Sequence, residues 1–325
     1  MTPSTMRAIV QHGYGGSEVL RMASIPIPEP GRDRVRIRVQ AAGVAMGDWH
    51  MRAGEPLAMR VISPRGPRST PIGFDVAGIV DAVGPGVEAF SVGDRVMGEA
   101  RGSFAEFALA RIDRIVRIPE GVAPEDAAAA PVSGTTALHA LAKVGDIAGR
   151  RVLVSGAGGG VGSFAVQLAT LAGARVTGVC SARKAEFVRR LGADRTIDYA
   201  VDDPSLGPDR YKAILDFAGN RPVGDWRRVL EPDGLIVLGG GEGGGRLLGM
   251  AGRALGAAFD GIGRRRTTVG LVGETTVPEL AVLASRLADG SLRSPVTRVA
   301  PLADAGAVID DLAAGRVTGK AVLTP

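Results

Sequence analysis

Residues 152–169 read VLVSGAGGGVGSFAVQLA. The run begins with four residues of continuous apolar or small character, the pattern of a strand covered on both faces of a sheet. Five glycines follow within seven positions, Gly156, Gly158, Gly159, Gly160 and Gly162. A helical stretch comes next, with Phe164, Leu168 and Leu171 on one expected face and Gly173 at its C-terminal end. A pyrophosphate calls for this order of strand, glycine loop and helix. The chain has to turn tightly, the backbone has to approach the phosphates, and the N–H groups of the helix N-terminus have to face the negative charge. Gly156, Gly158, Gly159, Gly160, Val161 and Gly162 are therefore read as a dinucleotide-phosphate loop.

Working outward, RVTGVCS (175–181) reads as a second strand and ARKAEFVRRLG (182–192) as a second helix closed by glycine. The stretches RTIDY, AILDFAG and GLIVLGGG follow as further strands. Strands alternating with helices predict βαβ units on a parallel sheet, the doubly wound α/β class. Upstream, PEDAAAAPVSGTTALHALAKV (124–144) is helical in character. The residues before it are β-rich, and RVRIRVQAAGV (34–44) alternates with period two, arginines outward. After a glycine-rich apolar segment at 239–262, read as a lid or interface segment, the tail holds a helix at VPELAVLASRLADG, a strand at SPVTRVA, another helix and a last strand at KAVLTP. The tail resembles the first part more than the middle, so the chain is expected to return to its first domain.

The end of the second strand selects the dinucleotide. Enzymes that use NAD tend to carry an acid there, about 20 residues past the loop. Here Ser181 lies 19 residues after Gly162, with Arg183 and Lys184 just beyond it and Tyr199 ending the third strand. A hydroxyl with cations nearby accepts a 2′-phosphate, so NADP(H) is the expected cofactor. Arg183 and Lys184 also suit a solvated helix start, and that reading stays open.

Composition narrows the class. The 325 residues suffice for two domains, and 45% of them are hydrophobic. No stretch approaches the ~20 apolar residues of a membrane span. The start, MTPSTMRAIVQHGYGG, lacks a basic region followed by an apolar one, and Cys180 is the single cysteine. A cytoplasmic protein without internal disulfides is expected. The net charge of +5 comes mostly from scattered arginines, with lysine only at 143, 184, 212 and 320. A solvated basic surface explains this better than a nucleic-acid site, so no specific nucleic acid and no membrane partner is expected.

Nine motifs in order carry a family resemblance: RAIVQHGYGGSEVL, GVAMGDWHMRAG, GFDVAGIVDAVGPGV, VGDRV, GSFAEFA, SGTTALHAL, SGAGGGVG, LGADRTIDY and GKAVL. The chain resembles the zinc-free quinone oxidoreductase, ζ-crystallin-like branch of the medium-chain dehydrogenases/reductases. The resemblance implies a GroES-like catalytic domain over 1–125, completed by 288–325, and a Rossmann NADP(H)-binding domain over 126–287. It also implies an active site between the two and a homodimer. Thr136 matches a threonine near the nicotinamide, and Gly239 falls within the cofactor set. Zinc-dependent relatives carry cysteine where this chain has Ala45 and histidine where it has Phe74. With three histidines far apart (His12, His50, His139) and one cysteine, no tetrahedral zinc set is visible.

Without a metal, the hydride acceptor has to be electrophilic already, which points to a quinone or an α,β-unsaturated carbonyl compound. The expected substrate pocket includes Ala45, Trp49, His50 and Phe74. Ala45 and His50 depart from the asparagine and tyrosine of some zinc-free relatives. His50 is the candidate proton donor, because an imidazole can exchange protons near neutral pH, although a packed or solvent-facing histidine fits the position equally. Asp48 is expected to cap the short helix around Trp49. Two other readings stay open. One is a biosynthetic enoyl reductase that acts in trans on a carrier-bound, polyketide-like substrate. The other is a non-catalytic cofactor-sensing or nucleic-acid-binding protein.

Overall fold

The computed structural model describes residues 4–61, 64, 66–239, 268–270 and 274–325. The chain divides into two compact units. The first comprises Met1–Gly54, Met59–Thr135 and Glu274–Pro325; the second comprises Glu55–Ala58 and Thr136–Gly273.

In the second unit the continuous apolar runs become strands. Val152, Leu153, Val154 and Ser155 are all buried, as a strand covered on both faces requires. Six strands form one parallel sheet in the order Arg195–Asp198, Arg175–Cys180, Arg151–Ser155, Tyr211–Asp216, Leu230–Leu238, Thr268–Gly270. Numbered along the chain, that order is 3-2-1-4-5-6, the doubly wound arrangement. Its core gathers Leu153, Val179, Ile197, Tyr211, Ile214, Trp226 and Ile236. The helix after the glycine loop, Gly160–Leu171, buries every residue from Gly162 to Ala169. Phe164 and Leu168 are buried as their spacing predicts, but Leu171 at the last turn is exposed. The helix stops there, and Gly173 turns the chain away with φ +80°. From 240 to 262, the glycine-rich segment lies outside the described residues.

The first unit is built on a seven-stranded mixed sheet. Its strands run in the order Val296–Pro301, Lys320–Thr324, Arg34–Val44, Asp75–Val83, Arg95–Glu99, Ile115–Arg117, and Phe107–Arg111 also pairs with Arg34–Val44. The alternation in RVRIRVQAAGV is realised: Val35, Ile37 and Val39 are buried in the core. The tail supplies two strands, of which Lys320–Thr324 lies antiparallel to Arg34–Val44, with Val322 opposite Gly43. The helix Val277–Ala288 packs on this unit, where its Leu283 fills the space over Gly134. A separate three-stranded sheet joins Leu20–Pro26, Thr5–His12 and Arg68–Pro71.

The stretch 124–144 reads as one helical segment in sequence but forms two helices, Pro124–Ala129 and Pro131–Val144. Pro131 has no N–H to continue the first helix, and its ring would clash with the preceding turn, so it opens a second one.

Candidate functional site

The glycine loop leaves the carboxyl end of the strand Arg151–Ser155 and enters the helix Gly160–Leu171. Gly156 turns with φ +73°, a conformation that side chains disfavour. Gly159 is the N-cap and accepts the Ser163 N–H at 3.0 Å, while Gly160, Val161 and Gly162 form the first helical turn. A Cβ on Gly162 would lie 2.1 Å from the Gly156 carbonyl oxygen, so only glycine permits the loop to fold back onto its own helix. A Cβ on Gly158 would lie 2.7 Å from Lys184 Cδ, which shows that the Lys184 stem runs across the loop.

At the end of the neighbouring strand, Ser181 is half-buried and starts the short turn Ala182–Lys184. Arg183 is exposed, whereas Lys184 is buried. That burial, with the Arg183 charge beside it, holds the Lys184 ammonium below its ordinary pKa. An anion placed here would relieve both effects. Tyr199 is exposed and donates its N–H to the Cys180 carbonyl at 3.4 Å. Ser181 and Tyr199 thus flank one carboxyl edge, since Cys180 and Asp198 are paired in register. No acid stands at the Ser181 position.

Gly239 follows the fifth strand and donates its N–H to the Asp216 carbonyl at 3.0 Å. Gly156, Ser181, Tyr199 and Gly239 therefore all lie at the carboxyl ends of parallel strands. Gly156 sits at the switch point between the first and fourth strands, where open α/β sheets bind ligands. Thr136 is half-buried on the helix Pro131–Val144.

Asp216 was not singled out from sequence. It is fully buried, accepting the Gly219 N–H at 3.1 Å and the Trp226 indole N–H at 3.1 Å. It fixes the loop of Phe217 and Ala218 that approaches Gly156. The available signal was a carboxylate closing an otherwise apolar strand in AILDFAG.

The second group of candidates lies in the first unit. Ala45 is the N-cap of the helix Met46–Ala53, and its N–H donates to Asp48 Oδ2 at 2.8 Å. Asp48 thus serves the cap from the N3 position, as an acid there can. Trp49 and His50 are half-buried, and their rings meet edge-on with centroids 5.0 Å apart. Gly54 ends the helix with φ +63° and returns its N–H to the His50 carbonyl. Phe74 is half-buried and accepts the Ala100 N–H through its carbonyl. Ala45 and Phe74 offer no side-chain donor to a metal. Among the described residues, no group of three or more His, Cys, Asp or Glu could hold a metal ion. Among those residues, too, no helix is long and apolar enough to cross a membrane.

Residues 31–120 match the family described as the alcohol dehydrogenase GroES-like domain. Residues 191–323 match the one described as zinc-binding dehydrogenase. The chain is 36% identical to the chloroplast envelope quinone oxidoreductase homolog of Arabidopsis thaliana over 254 residues, 73% of this chain and 75% of that protein. It is 34% identical to an Arabidopsis thaliana chloroplastic NADPH-dependent alkenal/one oxidoreductase over 230 residues, 67% of this chain and 58% of that one. The quinone oxidoreductase structure from Coxiella burnetii superposes with a TM-score of 0.87 at 29% identity, covering 99% of each chain. A glycine-loop Rossmann sheet, a GroES-like unit and relatives matched at this level lead to one assignment: the chain is an oxidoreductase of the quinone oxidoreductase branch of the medium-chain dehydrogenases/reductases.

Proposed function

We propose that the protein is an NADPH-dependent reductase of quinones or α,β-unsaturated carbonyl compounds that works without zinc. The cofactor is NADP(H), and the residues present fit it. Gly156–Gly162 form the cradle that a Cβ would fill, and Lys184 lies buried across it with Arg183 adjacent. Ser181 and Tyr199 flank the ribose end, and Gly239 and Thr136 are assigned to the nicotinamide half. When bound, the cofactor supplies hydride from C4 of its ring.

The observation that carries the reading is the pair Ala45 and Phe74. Neither side chain can ligate a cation, and among the described residues no other group of donors could hold a metal that polarises a carbonyl. The acceptor must then be activated by its own conjugation, and the protein's part is to orient it and stabilise the oxygen that gains charge. Trp49 and Phe74 provide apolar walls for such a planar acceptor. His50 is assigned the hydrogen bond and proton to that oxygen. The names borne by the two Arabidopsis relatives, a quinone oxidoreductase homolog and an alkenal/one oxidoreductase, support both substrate classes. A homodimer in the cytoplasm completes the reading, as the single buried cysteine suits a reducing compartment.

The test is NADPH consumption against a panel of quinones and enones, with elemental analysis of the same preparation. Turnover of either class by metal-free protein is expected. Absence of turnover with both classes, or one tightly bound zinc per chain, overturns the proposal.

A further inference from the structure

Three of the family motifs, GVAMGDWHMRAG, GFDVAGIVDAVGPGV and GKAVL, meet inside the first unit around a group of buried charges. Lys320 Nζ lies 3.2 Å from Asp75 Oδ2, and the other Asp75 oxygen accepts the Val132 N–H at 2.9 Å. Lys320 and Asp75 are each 1% exposed, and Asp48 is 3% exposed. Gly43 is required where they converge, because a Cβ there would lie 2.3 Å from the Ala128 carbonyl and 3.0 Å from Asp75.

The donors are divided unequally. Asp75 holds the ammonium and a backbone N–H. Asp48 holds only the Ala45 N–H on Oδ2, and its buried Oδ1 has no hydrogen-bond partner among the described residues. Two carboxyls share one lysine, and Glu99, opposite Asp75 in register on the adjacent strand, adds a third acid facing the group. Glu99 is half-buried, accepts the Thr275 hydroxyl, and feels the charges of Arg114 and Glu274. Ionising Asp48 would leave a buried charge without a cation of its own, which costs far more than burying a neutral acid.

We propose that Asp48 is carried in the folded protein as a neutral carboxylic acid, and that it is a positioning residue whose proton keeps the first turn of Met46–Ala53, with Trp49 and His50, in place. The kinetic side of this proposal rests on the reductase reading above; the side concerned with stability does not.

Burial raises both carboxyls, and at Asp75 the Lys320 ammonium and the Val132 N–H oppose the rise. Burial pushes the Asp48 carboxyl from 3.8 up to about 7, and the Asp75 charge adds to the rise, while the Ala45 N–H and Lys320 oppose it. A folded-state pKa above the ordinary one means that the folded state binds the proton more tightly. The contribution to stability is complete below the ordinary carboxyl pKa and is lost as pH rises through about 7. Above that point, ionised Asp48 is a buried charge that repels Asp75, although its bond from the Ala45 N–H favours the ionised form.

The experiment compares native protein, Asp48→Asn and Asp48→Ala between pH 5.5 and 9, following the thermal midpoint and kcat for NADPH-dependent enone reduction. His50 is common to all three proteins, so its contribution is shared in the comparison. The native midpoint is expected to fall by roughly 2–4 °C from pH 6 to pH 9, with that of Asp48→Asn staying level by comparison. Asparagine should rescue kcat to within about threefold of native at pH 6 and exceed it at pH 9, while alanine lowers it about tenfold throughout. Parallel midpoint curves for native and Asp48→Asn overturn the proposal. So does an Asp48→Asn protein that fails to fold or is as impaired as Asp48→Ala, because the amide is the neutral isostere. If no enone or quinone is turned over, the reductase reading fails while the midpoint curves still decide the state of Asp48.

Discussion

Lys320 and Asp75, 245 residues apart in sequence, form a buried ion pair at 3.2 Å that ties the last strand of the chain to the start of the strand Asp75–Val83. Removing one partner of such a pair leaves the other charge buried and uncompensated, at a cost of about 3–5 kcal/mol. Lys320→Met is therefore expected to lower the thermal midpoint by roughly 10 °C. Adding Asp75→Leu to it should recover part of the loss, since the orphaned carboxylate is then gone. A Lys320→Met protein as stable as native in calorimetry would show that the pair contributes nothing.

Gly162 and Gly159 separate the fold's demands from the ligand's. Alanine at 162 would place its Cβ 2.1 Å from the Gly156 carbonyl, whereas at 159 the nearest atom is 3.4 Å away and φ is −99°. Gly162→Ala should cost about 1–3 kcal/mol or more of stability, as overpacking does. Gly159→Ala should keep its midpoint within about 2 °C of native. Its NADPH affinity should nevertheless weaken about tenfold or more, because the loop backbone can no longer approach the phosphates. Equal midpoints for the two variants in a thermal-shift measurement would contradict this division.

Ser181, Arg183, Lys184 and Tyr199 set an expected preference for NADPH over NADH of at least about tenfold, or roughly 1.4 kcal/mol. Ser181→Asp should erase or reverse it, by repelling the 2′-phosphate and accepting a ribose hydroxyl instead. Fluorescence titration with both cofactors gives the answer. Equal dissociation constants in the native protein would refute the assignment.

His50 sits against Trp49 at a centroid distance of 5.0 Å on the helix that Asp48 caps. A positioned general acid contributes about 10²–10⁴-fold, and water can partly replace it, so His50→Ala should lower kcat on an enone by about tenfold or more. NADPH affinity should be unchanged, because phosphates and ribose are held elsewhere. Quinones should suffer less, since the hydroquinone oxyanion needs less help from an acid. Native kcat in the alanine variant would mean that the proton comes from solvent.

The glycine loop, the period-two alternation of Arg34–Val44 and the glycines that close the helices were legible in the amino-acid sequence, because each reflects steric rules acting within a few residues. Pro131 shows where such reading stops short: a strongly helical composition from 124 to 144 masked a break that one missing N–H imposes. Leu171 is a similar case, since periodicity places it on the buried face but the end of the helix leaves it exposed. The strand, loop, helix and strand of the second unit were readable because they follow one another in the chain.

The two fold types and the glycine loop between strand and helix follow from residue type at short spacing alone. It takes the folded chain to show that the Lys184 stem crosses Gly158, that Asp216 organises the loop beside Gly156, and that Lys320 pairs with Asp75 while one Asp48 oxygen has no partner among the described residues. Those relationships depend on burial and on partners brought together from distant parts of the chain. Whether a carboxyl is worth ionising is settled by the donors that folding delivers to it, and no local pattern of residues records that number.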